Sequence, residues 1–204
     1  GSGRTELAQL IFGAVKKDNG KIIFKGREIN PKSPREAIDL GIGLLTEDRN
    51  GKGLIMDLSV LDNIILSNFS TISKVKIQWK KAQSEVSDLV RNLQIKTPHI
   101  FQKVKFLSGG NRQKVVLARW LFSKAKLLIF DEPTWGIDVG VKQEIYNLLF
   151  RLVEQGIGVL VISSDLQEVL TIGDRIGVMF DGHLRGILDR ENASREKIME
   201  LATT

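Results

Sequence analysis

Unbroken apolar runs separated by amphipathic stretches constrain this chain most. Leu127-Leu-Ile-Phe130 and Val159-Leu-Val-Ile162 carry no polar residue, and Gly41 to Thr46 is a third run, apolar up to its closing threonine. A strand whose side chains are all apolar has to be covered on both faces. The intervening stretches 60–68, 79–93, 139–154, 165–171 and Gly110 to Phe122 read as helices. Strands alternating with helices predict an α/β fold with a mostly parallel sheet and helices on both of its faces. Ligands of such sheets sit at the carboxyl ends of the strands.

The remaining elements are simpler. Arg4 to Val15 predicts a helix, because Leu7, Leu10, Ile11 and Ala14 share a face. Lys21 to Lys25 reads as a short strand, and 194–202 as a closing helix. Ile176 to Phe180 and His183 to Leu188 flank Asp181-Gly182, a strong hairpin signal. Asp165 with Glu168 three residues later predicts a capping box.

Composition narrows the function. The chain has 204 residues and no cysteine, which excludes a disulfide scaffold and thiolate metal sites. No apolar run approaches the ~18 residues of a membrane span. Thirty Lys and Arg against 24 Asp and Glu give a net charge of +6. That permits contact with nucleic acid or a membrane surface, but the basic residues are scattered among acidic ones and read rather as a solvated surface with a mild basic excess.

Two motifs carry chemistry. Leu127-Leu-Ile-Phe-Asp131-Glu132 is an apolar strand ending in adjacent carboxylates. Carboxylates suit both a hard cation such as Mg²⁺ and a water that must lose a proton, although an Asp/Glu pair can also simply open a surface loop. Leu107-Ser108-Gly109-Gly110-Asn111 leads into a helix about twenty residues earlier. A helix start rich in Ser and Gly offers backbone N–H groups and a positive dipole end to phosphate.

Together these motifs resemble the Walker B strand and the signature of ATP-binding cassette (ABC) ATPases. The resemblance extends along the chain. Gly1-Ser2-Gly3-Arg4-Thr5-Glu6 looks like the end of a Walker A loop with Arg4 in place of lysine. Glu47 stands where the Q-loop amide is expected, Asp138 lies in the D-loop, and Ser164 occupies the position of the switch histidine. His99 and His183 do not fit that position. Trp135, in the D-loop, reads either as an exposed interfacial ring or as partly buried. The pattern is most similar to the second cassette of fused two-cassette ATP-binding subunits of monosaccharide importers.

That resemblance implies a P-loop NTPase-like fold in one nucleotide-binding domain over 1–204, with a helical signature subdomain at about 59–122. It also implies that the chain opens inside the phosphate loop, without the strand that feeds it, so the isolated chain is expected to bind ATP weakly or not at all. The cofactors would be ATP and Mg²⁺. Gly1, Ser2, Gly3, Arg4, Thr5, Glu6 and Asp138 would bind nucleotide, with Leu107, Ser108, Gly109, Gly110 and Asn111 serving a partner's nucleotide. Thr5, Glu47 and Asp131 would hold the metal, and Glu132 and Ser164 would be catalytic.

The implied partners are a second cassette, membrane-spanning permease subunits and, indirectly, a sugar-binding protein, with no nucleic acid. The location would be cytoplasmic, at the inner face of the membrane. Arg49 to Leu58 and 60–93 are the expected docking face. Two other readings remain: a nucleic-acid-associated ABC ATPase, and a non-catalytic domain that keeps the fold alone.

Overall fold

The computed structural model describes residues 2–46, 53–66, 79–137 and 139–203. Gly1, Glu47 and Asp138, all expected at the site, lie outside the described residues, as do 49–52 and 67–78 of the expected docking face.

The centre is a parallel three-stranded sheet in the order β3 (Ile42–Leu45), β4 (Leu127–Asp131), β5 (Gly158–Ile162). The register pairs Leu45 with Phe130 and Asp131 with Ile162, so the carboxyl ends of β4 and β5 lie side by side. Every residue of β3 is buried. Gly43 is required there, because a Cβ would come within 2.9 Å of the Leu128 and Trp120 side chains. β5 is less buried than its composition suggests, and Leu160 is exposed. It is paired to β4 on one side only among the described residues.

Helices α1 (Arg4–Ile11), α2 (Pro34–Leu40), α3 (Val60–Ile65), α4 (Trp79–Asn92), α5 (Gly109–Phe122), α6 (Val139–Glu154), α7 (Leu166–Ile172) and α8 (Arg195–Leu201) surround the strands. α1 is shorter than its periodicity predicts, since Gly13 takes φ +71° and ends it. The main core joins the sheet to α1, α3, α5 and α6, with the Phe12 and Trp120 rings edge to face at 5.8 Å. A second, smaller core gathers Ile176, Val178 and Ile198 under the hairpin. None of the described helices is long and apolar enough to cross a membrane.

Two antiparallel pairs flank this centre. β6 (Arg175–Phe180) and β7 (His183–Asp189) form the hairpin expected around Asp181-Gly182, with a bulge at Val178/Met179. β1 (Ile22–Phe24) pairs with β2 (Arg27–Ile29), a strand the periodicity does not reveal. Its signal is the turn, where Lys25 and Gly26 both take positive φ. α2 was likewise not expected, although Ser33 accepts from the Glu36 N–H and Pro34 occupies the first turn.

One interaction ties the helices to each other. Asn63 on α3 is fully buried, gives its amide to the Ile55 and Ser59 carbonyls and accepts from the Ile55 N–H. Arg119 on α5 donates to both the Asn63 carbonyl and its side chain. Burial holds the Arg119 guanidinium down to about 10.

Candidate functional site

The site forms where β4 and β5 end. Asp131, the last residue of β4, is 5% exposed, and its Oδ1 accepts a hydrogen bond from the Thr5 hydroxyl at 3.2 Å. Thr5 reaches it from the first turn of α1. That helix starts at Gly3, whose left-handed φ of +87° is natural only to glycine. A Cβ on Gly3 would also come within 3.1 Å of Gly182. The Gly182 N–H donates to the Ser2 carbonyl, so the β6–β7 turn clasps the entry of α1. The Ser2 hydroxyl is buried without a hydrogen-bond partner.

Glu132 follows in the left-handed region at φ +50°, an uncommon conformation for a residue other than glycine. The Glu132 N–H is tied to the Ile162 carbonyl at 2.8 Å, which turns its side chain toward the end of β5. There the Ser164 hydroxyl and backbone N–H both donate to its carboxylate. Burial nevertheless pushes the Glu132 carboxyl above its ordinary value; the Ser164 donors and the nearby Arg4 charge oppose the rise, and Asp131 adds to it. The expected catalytic pair, separated by 32 positions, is therefore in contact. Glu6 is exposed in the same helical turn as Thr5.

Thr5 and Asp131 are hard oxygen donors on adjoining elements, the chemistry Mg²⁺ prefers. No cluster of three or more His, Cys, Asp or Glu side chains able to hold a metal occurs among the described residues. A Mg²⁺ that keeps several waters and ligand phosphates needs only one or two protein oxygens. A cavity of about 460 Å³ opens beside Asp131 and Glu132, bounded by Phe12, Thr46, Gln113 and Trp120.

The signature residues open partly to solvent. Ser108 is the N-cap of α5, yet its hydroxyl makes no capping bond and accepts instead from the Asn111 amide at 2.8 Å. Asn111 in turn accepts from the Lys96 N–H. Leu107 is buried and anchors the segment, while Ser108 and Gly109 are exposed and Gly110 and Asn111 are half-buried. Nothing lies within 4 Å of a Cβ placed on Gly109. From the same helix, the Gln113 amide donates to the Pro133 carbonyl, which links the signature helix to the turn after Glu132.

One expectation is corrected here. Asp165 does cap α7, accepting from the Gln167 and Glu168 N–H groups. Glu168 does not complete the box, because both its carboxylate oxygens are buried without a hydrogen-bond partner. Asp165 pairs instead with Lys142 of α6 at 2.7 Å, and that hydrogen bond holds its carboxyl below the ordinary value. Trp135 is exposed, which decides between its two readings. The burial of Glu168 is a feature of this region that motif spacing misses, since burial leaves no mark in local sequence.

A parallel sheet with paired carboxylates at the end of β4, a glycine-led helix start bonded to that same end and a Ser-Gly-Gly helix start elsewhere is the arrangement of a P-loop ATPase cassette. Comparison with known proteins agrees. The ABC transporter family profile matches residues 1–135, and the chain belongs to that family.

The ribose import ATP-binding protein RbsA of Clostridium tetani is 49% identical over 204 residues, covering 99% of this chain and 40% of that protein. A putative ribose/galactose/methyl galactoside import ATP-binding protein of Pseudomonas syringae is 46% identical, covering 100% of this chain and 39% of that protein. The chain thus spans about two fifths of the length of these curated relatives. Among solved structures, the ADP conformation of the ATP-binding cassette MJ1267 matches with a TM-score of 0.80 at 26% identity. It covers 98% of this chain and 83% of that one. A nucleotide-free cassette of an ABC transporter matches with a TM-score of 0.81 at 25% identity and the same coverage.

Proposed function

We propose that this chain is the ATP-binding cassette of a sugar importer and that its two faces divide the work. The exposed Ser108–Gly109 face completes the nucleotide site of a partner cassette. The chain's own site, with Arg4, Thr5 and Asp131, binds nucleotide and turns it over slowly. The observation that carries this reading is a solvent-open Ser108–Gly109 segment in a chain whose Thr5 is already joined to its own Asp131. Relatives named as ribose and galactoside import ATP-binding proteins support the substrate class.

The roles follow from the chemistry. Thr5 and Asp131, with Glu47 beyond the described residues, would hold Mg²⁺, which supplies charge neutralisation of the phosphates when bound. Arg4 keeps the positive charge of the usual lysine but carries a larger planar head, so it does not replace it in kind. Glu132, held above the ordinary carboxylate value by burial, is suited to accept a proton from water, and Ser164 orients it. Ser164 has no titratable group to replace the imidazole usual at that position, which fits slow turnover at this site. Gly1, Ser2, Gly3, Glu6 and Asp138 belong to the same nucleotide-binding reading. We read about 59–122 as the helical subdomain and Leu54 to Leu58 with α3 and α4 as part of the face toward a membrane-spanning permease. On this reading the working protein sits at the inner face of the membrane.

The test is ATPase activity of the complete transporter carrying single substitutions in this cassette. Ser108→Arg is expected to cut turnover at least tenfold, and Glu132→Gln by much less. Loss of turnover in Glu132→Gln with activity retained in Ser108→Arg would overturn the division of roles.

A further inference from the structure

Four consecutive residues in the first two turns of α5 fasten it to four different segments. Asn111 accepts from the Lys96 N–H, Arg112 donates to the Val104 and Lys105 carbonyls, Gln113 to the Pro133 carbonyl and Lys114 to Glu144 of α6. Of these bonds the one made by Gln113 is buried, so water competes with it least.

Gln113 is 9% exposed and lies one helical turn beyond Gly109. Its amide nitrogen donates to Pro133 at 2.7 Å, while its side-chain oxygen is buried without a hydrogen-bond partner. Burying an amide with one end unpaired offsets most of what the other end gains. The bond therefore adds little to stability, and its main consequence is geometric.

That consequence falls on Glu132, which directly precedes Pro133 and sits at φ +50°. A residue other than glycine keeps such a conformation only where its surroundings fix it. Two hydrogen bonds bracket it: the Glu132 N–H donates to the Ile162 carbonyl at 2.8 Å, and the Pro133 carbonyl accepts from Gln113. The peptide bond is planar and the proline ring locks its own φ, so only two ψ angles can turn between the Glu132 Cα and the Pro133 carbonyl. A displacement of α5 at Gln113 is passed to Glu132 with little slack.

We propose that Gln113 is a positioning residue that makes the Glu132 turn follow the signature segment, through the Pro133 carbonyl. In an assembled pair of cassettes, the segment that serves the partner's nucleotide and the carboxylate that serves this chain's own then move together. This consequence rests on the proposed roles of Ser108 and Glu132, whereas the coupling itself does not.

The test needs no nucleotide and uses the 204-residue chain. The backbone amide resonances of Thr134 and Trp135 report on the turn, and that of Gly186 in β7 serves as an internal control. Asn111→Ala removes the bonds to Lys96 and Ser108 and so unfastens the signature end of α5. It is expected to move the Thr134 and Trp135 resonances and leave that of Gly186 in place. In the Gln113→Met background the same substitution should add no further shift at the turn. Gln113→Met alone should change the melting temperature by no more than about 4 °C, since its side chain fills the same space without the unpaired oxygen.

Equal shifts from Asn111→Ala with and without Gln113→Met would show that the signal bypasses Gln113 and would overturn the proposal. So would an unmoved turn when Asn111→Ala is made alone. Gln113→Leu, which also lacks the donor, completes the same cycle if Gln113→Met fails to fold. If transporter assays refuted the roles of Ser108 and Glu132, this cycle would still decide the coupling.

Discussion

The Thr5 hydroxyl donates to Asp131 at 3.2 Å across a separation of 126 residues, joining the first turn of α1 to the last residue of β4. The bond fixes the N-terminal end of α1 against the Asp131 carboxylate. Thr5→Val should remove it at a cost of about 1 kcal/mol, the usual scale for a lost hydrogen bond to a buried acceptor. Chemical denaturation measures that cost, and titration with Mg²⁺-nucleotide should show a parallel loss of affinity in the intact transporter.

Glu132 predicts a pH dependence whose sign follows from burial. Its folded-state pKa lies above the ordinary value of 4.5. The stability associated with this group is fully present below the unfolded pKa and is lost as pH rises through the folded value. Glu132→Gln should therefore match or exceed the parent in stability at neutral pH, with the advantage fading as pH falls through the raised folded value and gone below about 4.5. Ser164→Ala removes a donor that lowers the pKa, so the midpoint of the transition should rise. Melting temperatures of the three proteins across pH check both statements.

The Lys142–Asp165 pair gives the opposite sign. Lys142 holds Asp165 below its ordinary value of 3.8, so the contribution of Asp165 is present above the unfolded pKa and lost as pH falls through the lowered folded one. The pair is partly exposed, and Lys142→Met should cost only about 0.5 kcal/mol at pH 7. That penalty should vanish in strong acid, which denaturation at pH 7 and at low pH would reveal.

Gly109 separates folding from function. It takes a helical position with open space around it, so Gly109→Ala should leave the melting temperature unchanged or raise it slightly. Gly109→Asp should also fold, and under the proposed trans role it should lower transporter ATPase activity at least tenfold by setting a carboxylate against phosphate. Gly43 behaves in the reverse way. Gly43→Ala forces a Cβ to 2.9 Å from Trp120 and Leu128 and should cost about 1–3 kcal/mol by overpacking.

Much of the fold was legible because its signals are local. The apolar tetrads of β4 and β5, the Asp181-Gly182 turn and the Ser-Gly-Gly entry to α5 each carry their own physical cause within a few residues. α2 and β2 were legible in principle, from the Ser33-Pro34 cap and the Lys25-Gly26 turn, but neither has enough apolar periodicity to announce itself. The capping-box reading of Asp165 and Glu168 failed for a different reason. Spacing predicts where a side chain can reach along its own helix, whereas the burial of Glu168 is set by residues outside that range.

The sequence by itself determined the chemistry available: two carboxylates at a strand end, a hydroxyl and an arginine at a helix start, and a glycine-rich second helix start. Only the tertiary structure decided which of these meet. Parallel register set the end of β5 beside the end of β4, and the left-handed turn at Glu132 then aimed its carboxylate at Ser164. Burial, which depends on every neighbour at once, raised the Glu132 carboxyl and left Glu168 without a partner. Periodicity is a property of a segment, whereas desolvation is a property of the packed whole, and that is why the second could not be read from the first.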